Sequence, residues 1–166
     1  MLDQELETER RILTTFDEVR DGVIEVAACA ERFITILTPD LEPDIYGHED
    51  FLEVVKRLVL AKRYARVRVL ITDPSRAVRN GNPLVALSRR LNTYMDFRNL
   101  EMAYRGSMND AFIIADESAV LYRTNGKRYD GIMGSHEPAI ARQHLAAFEK
   151  PWEDSVFKND RHTGEY

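Results

Sequence analysis

A chain of 166 residues with 44% apolar and 31% charged side chains holds too much apolar content for a disordered polymer and is long enough for one domain with a real core, since about 150 residues bury roughly 70% of their unfolded surface. The net charge of −5 is uneven: residues 1–53 carry 4 Lys/Arg against 15 Asp/Glu, residues 54–128 carry 15 against 6, and the rest carry 4 against 7. Cys29 is the only cysteine, which excludes an intramolecular disulfide and a cysteine-based metal site.

The start, MLDQELETERR, is acidic where a signal peptide needs a basic region and an apolar run, and no stretch approaches the ~18 apolar residues of a membrane span. A cytoplasmic protein without a membrane span is expected. Residues 1–11 read as a helical extension, 12–155 as the domain and 156–166 as a polar tail that frays. No linker or repeat divides the chain.

Ile12, Phe16, Val19, Val23, Val26 and Ala30 recur at spacings of four and three, the mark of an amphipathic helix. Residues 32–38 (RFITILT) form a β-rich run and end in a loop over 39–47. A second helix runs from about Asp50 to Arg63, with Phe51, Val55, Leu58 and Val59 on one face and Glu49 and Asp50 at its positive start. VRVLIT (67–72) is a strand, and a loop carrying Arg76 and Arg79 follows. Asn82-Pro83 opens a third helix to about Leu91. A short strand is expected over 100–105.

Phe112 to Ala115 and Ala119 to Tyr122, separated by the polar turn Asp116-Glu117-Ser118, read as a β-hairpin. Tyr129 to Met133 is a further strand. Ala141, Leu145, Phe148 and Trp152 define a closing helix whose Trp152 caps the core. Early strands separated by helices and followed by a hairpin indicate an α/β protein, a mixed sheet with helices on both faces.

In this order the elements over about 12–155 resemble one half-unit of the phospholipase D-like superfamily: helix then strand, a long helix feeding VRVLITD, a hairpin, and Phe148 and Trp152 spaced as FxxxW. That family's signature is HxKxxxxD followed by a GSxN-type segment. The resemblance implies a histidine nucleophile, a lysine gripping phosphate and an aspartate orienting the histidine. Here Asn109 stands in the histidine's frame, Ala111 in the lysine's, and Asp116 alone is kept. Arg123-Thr124-Asn125-Gly126 stands where GSxN belongs. A carboxamide is a poor nucleophile, and alanine offers no charge to a phosphoryl group in transit. No catalytic residue is therefore assigned, although Asp116 also suits a plain turn and Asn109 keeps two donors and an acceptor for a ligand.

Arg105 and the turn bearing Arg123, Asn125, Lys127 and Arg128 flank the hairpin where the family's substrate would lie, with Arg76 on the preceding loop. They are the candidate phosphate or nucleic-acid contacts, and the basic middle of the chain agrees, unless the acidic first block folds back over it. His48 with Asp40, Glu42 and Asp44 matches no metal-ligand spacing, so neither metal nor cofactor is assigned. The expectation is a non-catalytic phospholipase D-like domain that binds a phosphate-containing ligand, nucleic acid above all, and pairs as the homodimer that single-motif members form. Two alternatives stand beside it. One is a protein-interaction scaffold with a protein partner; the other is a phosphodiesterase in which His48 or His136 supplies the imidazole.

Overall fold

A computed structural model describes residues 10–76 and 82–155. Seven strands form one sheet. In chain order they are β1 (Arg11–Leu13), β2 (Phe33–Thr38), β3 (Arg66–Ile71), β4 (Met95–Asn99), β5 (Ala111–Ala115), β6 (Ala119–Arg123) and β7 (Gly131–Gly134). Across the sheet the order is β1-β7-β6-β5-β2-β3-β4. β2, β3 and β4 run parallel, and the other pairs are antiparallel. The mixed sheet arises because helices return the chain between the parallel strands, whereas short turns link the hairpin partners.

Strand alternation sorts the core into two layers. On one face Ile34, Ile36, Val67, Val69, Ile113 and Leu121 meet Val19, Val23 and Val26 of helix α1 (Phe16–Ala28). They also meet Phe51, Val55 and Val59 of helix α3 (Glu49–Ala61). On the other face Leu37, Leu70, Phe112, Ile114 and Val120 pack with Ala141, Phe148 and Trp152 of the closing helix, here α5 (Pro138–Asp154). Trp152 is buried, stacked on Phe148 at 5.4 Å between ring centroids, with the Arg98 guanidinium 4.1 Å from its ring centre. Gly22 lets α1 settle on the sheet, because a Cβ there would meet the Leu121 and Met133 side chains at 2.7 and 2.8 Å.

The expected architecture is present, with local corrections. Ile12 fits the helical spacing of the segment after it but lies in β1, 76% exposed. The helix begins only at Phe16, because Thr15 and Glu18 form a capping box: each side chain takes the other's backbone N–H. The loop over 39–47 contains a short helix, α2 (Pro43–Tyr46), opened by proline. The strand expected over 100–105 is displaced to β4, and a 3-10 turn (Met102–Tyr104) follows it. Leu100 is instead a buried plug beneath α5, its N–H bonded to Ile71 O at 2.8 Å. The extension and tail lie outside the described residues except at Arg10 and Arg11, where Arg10 pairs with Glu137 and Arg11 opens β1. Among the described residues no helix is long and apolar enough to cross a membrane.

This topology makes two unlike ends. Leu37 pairs with Phe112 and Ile34 with Ala115, so the close of β2 and β3 and the start of β5 share one end. The helix α4 (Pro83–Arg90) starts there too, and both α3 and α4 finish at the other end.

Candidate ligand cleft

At the first end the loops after β2 and β3 face the loops before β5 and after β6 across a cleft of about 660 Å³. This is where open α/β sheets gather ligands, outside the carboxyl ends of parallel strands. Of the residues expected to contact ligand, Arg76, Arg105, Asn109, Asn125 and Lys127 line it. Phe16 and Tyr129 line it as well, in an edge-to-face pair with centroids 5.4 Å apart.

The walls differ in charge. One carries Arg105, Lys127 and the amides of Asn109 and Asn125; the other carries Asp40, Glu42, Asp44 and Asp73. Arg76 spans to the acidic side and pairs with Asp40 at 3.2 Å. Arg105 uses its Nε to donate to Leu100 O at 2.9 Å, and neither Arg105 nor Lys127 pairs with an acid among the described residues. Asn109 donates to Gly106 O at 3.3 Å, and Asn125 accepts from the Lys127 N–H at 2.9 Å. Gly106 has φ 94°, a conformation that only glycine adopts without strain. It turns the chain into the Asn109 loop.

Arg123 lies under the floor. On β6, Ala119 and Leu121 point into the α1 layer, and Arg123 two residues on follows them inward, 1% exposed. Its guanidinium donates to Glu42 Oε1 at 2.6 Å, to Arg128 O at 2.9 Å and to Gly126 O at 3.4 Å. Glu42 reaches it from a strained turn in which Leu41 and Glu42 have φ of 68° and 24°. Three bonds hold that turn: Leu41 N–H to Thr38 Oγ1, Asn82 Nδ2 to Leu41 O, and Glu42 N–H to Asp40 Oδ1. Burial pushes the Glu42 carboxyl above the usual carboxylate range even against the pull of Arg123. Arg123 is thus a structural cation here, bonded away from the cleft opening. Arg128 does not line the cleft either and pairs with Asp130 at 2.9 Å.

Ala111 is also beneath the surface, fully buried. Gly126 closes over it: its N–H donates to Asn109 O at 2.7 Å, and a Cβ at Gly126 would sit 3.1 Å from Pro39 and 3.4 Å from Ala111. Asp116 is at the far end of β5, separated from Asn109 by the whole strand, roughly 20 Å at ~3.3 Å per residue. Its carboxylate accepts the N–H groups of Glu31, Arg32 and Phe33 at 3.0, 2.9 and 2.9 Å. An aspartate so placed ties the entry of β2 to the hairpin and cannot orient a group at position 109.

The histidines stand elsewhere. His48 caps α3, its Nδ1 accepting the Asp50 N–H at 3.1 Å. His136 faces Ser118 at 3.3 Å, and His144 stacks on Tyr122 with centroids 4.0 Å apart. Among the described residues no histidine lines the cleft, and no group of three or more His, Cys, Asp or Glu is placed to hold a metal. Residues Arg79 and His162 lie outside the described residues.

This sheet, with its cleft at the start of β5, is the phospholipase D-like fold. Nuc from Salmonella typhimurium, a phospholipase D family member, superposes with a TM-score of 0.60 at 17% identity, covering 89% of this chain and 97% of its own. NucT from Helicobacter pylori gives 0.60 at 16%, covering 89% and 98%. TrmBL2, an archaeal chromatin protein with a novel mode of DNA binding, gives 0.62 at 14%, covering 93% of this chain and 58% of its own. No curated protein matches the sequence. Residues 15–162 match the family described as a domain of unknown function, DUF7931, and the chain belongs to that family.

Two variants separate the structural roles from the cleft. Arg123→Met leaves the Glu42 carboxylate buried without its partner and should destabilise the fold by about 3–5 kcal/mol. A carboxyl whose folded pKa is raised holds more protons folded than unfolded, so stability falls as pH rises through that window. Without Arg123 the pKa rises further, and the deficit against wild type should be largest near pH 8 and shrink in acid; urea melts at both pH values measure this. Asp116→Ala strands three N–H groups and should cost about 2 kcal/mol or more, while ligand affinity at the cleft, followed by titration, stays unchanged.

Proposed function

We propose that this protein is a non-catalytic phospholipase D-like domain that binds a phosphate-containing ligand, nucleic acid, in the cleft where relatives of this fold carry out catalysis. The observation that carries the reading is the wall on which Arg105 and Lys127, paired with no acid among the described residues, stand beside the Asn109 and Asn125 amides and the Tyr129 ring. Two cations can meet phosphate oxygens by charge-assisted hydrogen bonds. Amides can meet base edges, and an aromatic ring offers a stacking platform that tolerates any base.

The acidic wall narrows the ligand. A bare polyphosphate would meet Asp44 and Asp73 across the cleft, whereas a nucleotide can turn its phosphate to Arg105 and Lys127 and its exocyclic amino group to a carboxylate. Catalysis through a covalent histidine is not supported, because Asn109 holds the nucleophile's place and neither His48 nor His136 lines the cleft. The homodimer implied by the resemblance belongs to the same proposal, joining two such clefts about a two-fold axis.

The expected result is salt-dependent binding of RNA or DNA oligonucleotides that weakens about tenfold or more in Arg105→Ala/Lys127→Ala, with sedimentation of the unliganded chain as a dimer. Binding that ignores salt, or no binding beside stable capture of a protein partner, would favour the scaffold reading instead. Metal-independent phosphodiester cleavage lost in His48→Ala or His136→Ala would overturn the non-catalytic reading.

A further inference from the structure

The other end of the sheet carries a denser positive charge than the cleft. β2, β3 and β4 begin there side by side, held by Arg66 N–H to Arg32 O at 2.9 Å and Val67 N–H to Tyr94 O at 2.8 Å. The turn after α3 brings Lys62 and Arg63 to the same edge; its Ala65 N–H bonds Lys62 O at 3.0 Å, and Arg66 Nη1 donates to Arg63 O at 3.2 Å. The last turn of α4 adds Arg89 and Arg90, tied to Tyr94 through its N–H bond to Leu91 O at 2.9 Å.

The charge here is uncompensated. Lys62, Arg63, Arg89 and Arg90 are exposed, and no acid among the described residues pairs with them. Asp116 is consumed by three backbone N–H groups, Glu117 and Glu149 pair with Arg142 and Arg68, and Glu31 is exposed beside Arg32. Aromatic rings are exposed along this edge. Tyr64 is 67% exposed and Phe33 43%. The Arg32 and Arg66 guanidinium groups already lie 5.7 Å from the ring centres of Phe33 and Tyr94. Cations beside open rings are what a single strand with splayed bases requires, phosphate to charge and base to ring. A membrane surface would call for a band of aliphatic side chains, and Leu60 is the single large aliphatic exposed at these turns.

We propose that this rim, centred on Lys62, Arg63, Arg89 and Arg90 with the exposed Tyr64 ring beside them, is an interface for single-stranded nucleic acid separate from the cleft. It stands on its own charge and exposure and does not depend on what the cleft binds. The two sites lie at opposite ends of the strands, so one strand reaching both must run along the protein.

The test is fluorescence anisotropy of a 15-nucleotide oligo-dT with the full chain over a range of salt concentrations. Lys62→Glu/Arg63→Glu/Arg90→Glu should lower affinity at least about tenfold and flatten the log–log salt slope by about 2, at ~0.7 per phosphate contact on a single strand. Tyr64→Ala should weaken binding several-fold with the slope unchanged. All four side chains are exposed, and an unaltered melting temperature checks that the variants fold. The charge reversal should also act in the Arg105→Ala/Lys127→Ala background, which separates this site from the cleft. Unchanged affinity and slope after charge reversal would overturn the proposal, even where the cleft variant loses binding and the cleft reading stands. Tighter binding of a 15-base-pair duplex than of the single strand would also overturn it. So would reversal-sensitive binding of phosphatidylserine vesicles with oligo-dT unaffected.

Discussion

Burying a guanidinium is tolerable only when a counter-charge and hydrogen-bond acceptors wait for it. At the floor of the cleft Arg123 finds both: the Glu42 carboxylate and the carbonyls of Gly126 and Arg128. The bond joins the loop after β2 to the loop after β6, residues 81 apart in the chain. Everything that shapes the cleft hangs from these two loops. The strained Leu41–Glu42 turn persists because Arg123, Thr38 and Asn82 hold it, and Gly126 is pressed against Pro39 and Ala111 to close the floor. Asn109 is set in place through its carbonyl by the Gly126 N–H. The Arg123–Glu42 ion pair therefore braces the floor of the cleft and the loops on either side of it.

A cleft with a cationic wall facing an anionic one discriminates by orientation as well as by charge. A phosphate has one favourable side, and a group that donates hydrogen bonds has the other. Solved structures of similar fold include Nuc, a phospholipase D family member, NucT and an archaeal chromatin protein, and a fold alone does not decide function. The two ends of the sheet divide here into a mixed-charge cleft and a basic, aromatic rim, with the closing helix and the two hydrophobic layers keeping them apart.

Much of the architecture was legible because strand and helix periods are local. VRVLIT, the hairpin around Asp116 and the closing helix with Phe148 and Trp152 each show their pattern within a few residues. Ile12 misled because it falls one helical turn before Phe16 by coincidence; the Thr15–Glu18 capping box was the signal that the helix starts later. The displaced strand at 95–99 has weak alternation, since charged Asp96 and Arg98 take the face toward the closing helix, where Arg98 packs on Trp152. Of the candidate site, the loops bearing Arg105, Asn109, Asn125 and Lys127 were legible because they adjoin the hairpin. Arg123 was legible in principle: Ala119 and Leu121 face inward, and strand parity carries position 123 with them. Two features were not legible. Asp116 bonds partners 83 to 85 residues away, and the acidic wall gathers from loops whose proximity only the sheet order reveals.

The central claim is that the cleft at the start of β5 is a binding site for a nucleotide-bearing strand. It is tested most directly by following backbone amide signals in a nuclear magnetic resonance titration of the isotope-labelled chain with a short oligonucleotide. The account requires saturable shifts at Arg105, Gly106 and Asn109 and across the Asn125–Tyr129 loop, with the buried Ile113 and Leu121 signals still. Saturation of the protein with no movement at residues 105–109 and 125–129 would contradict it.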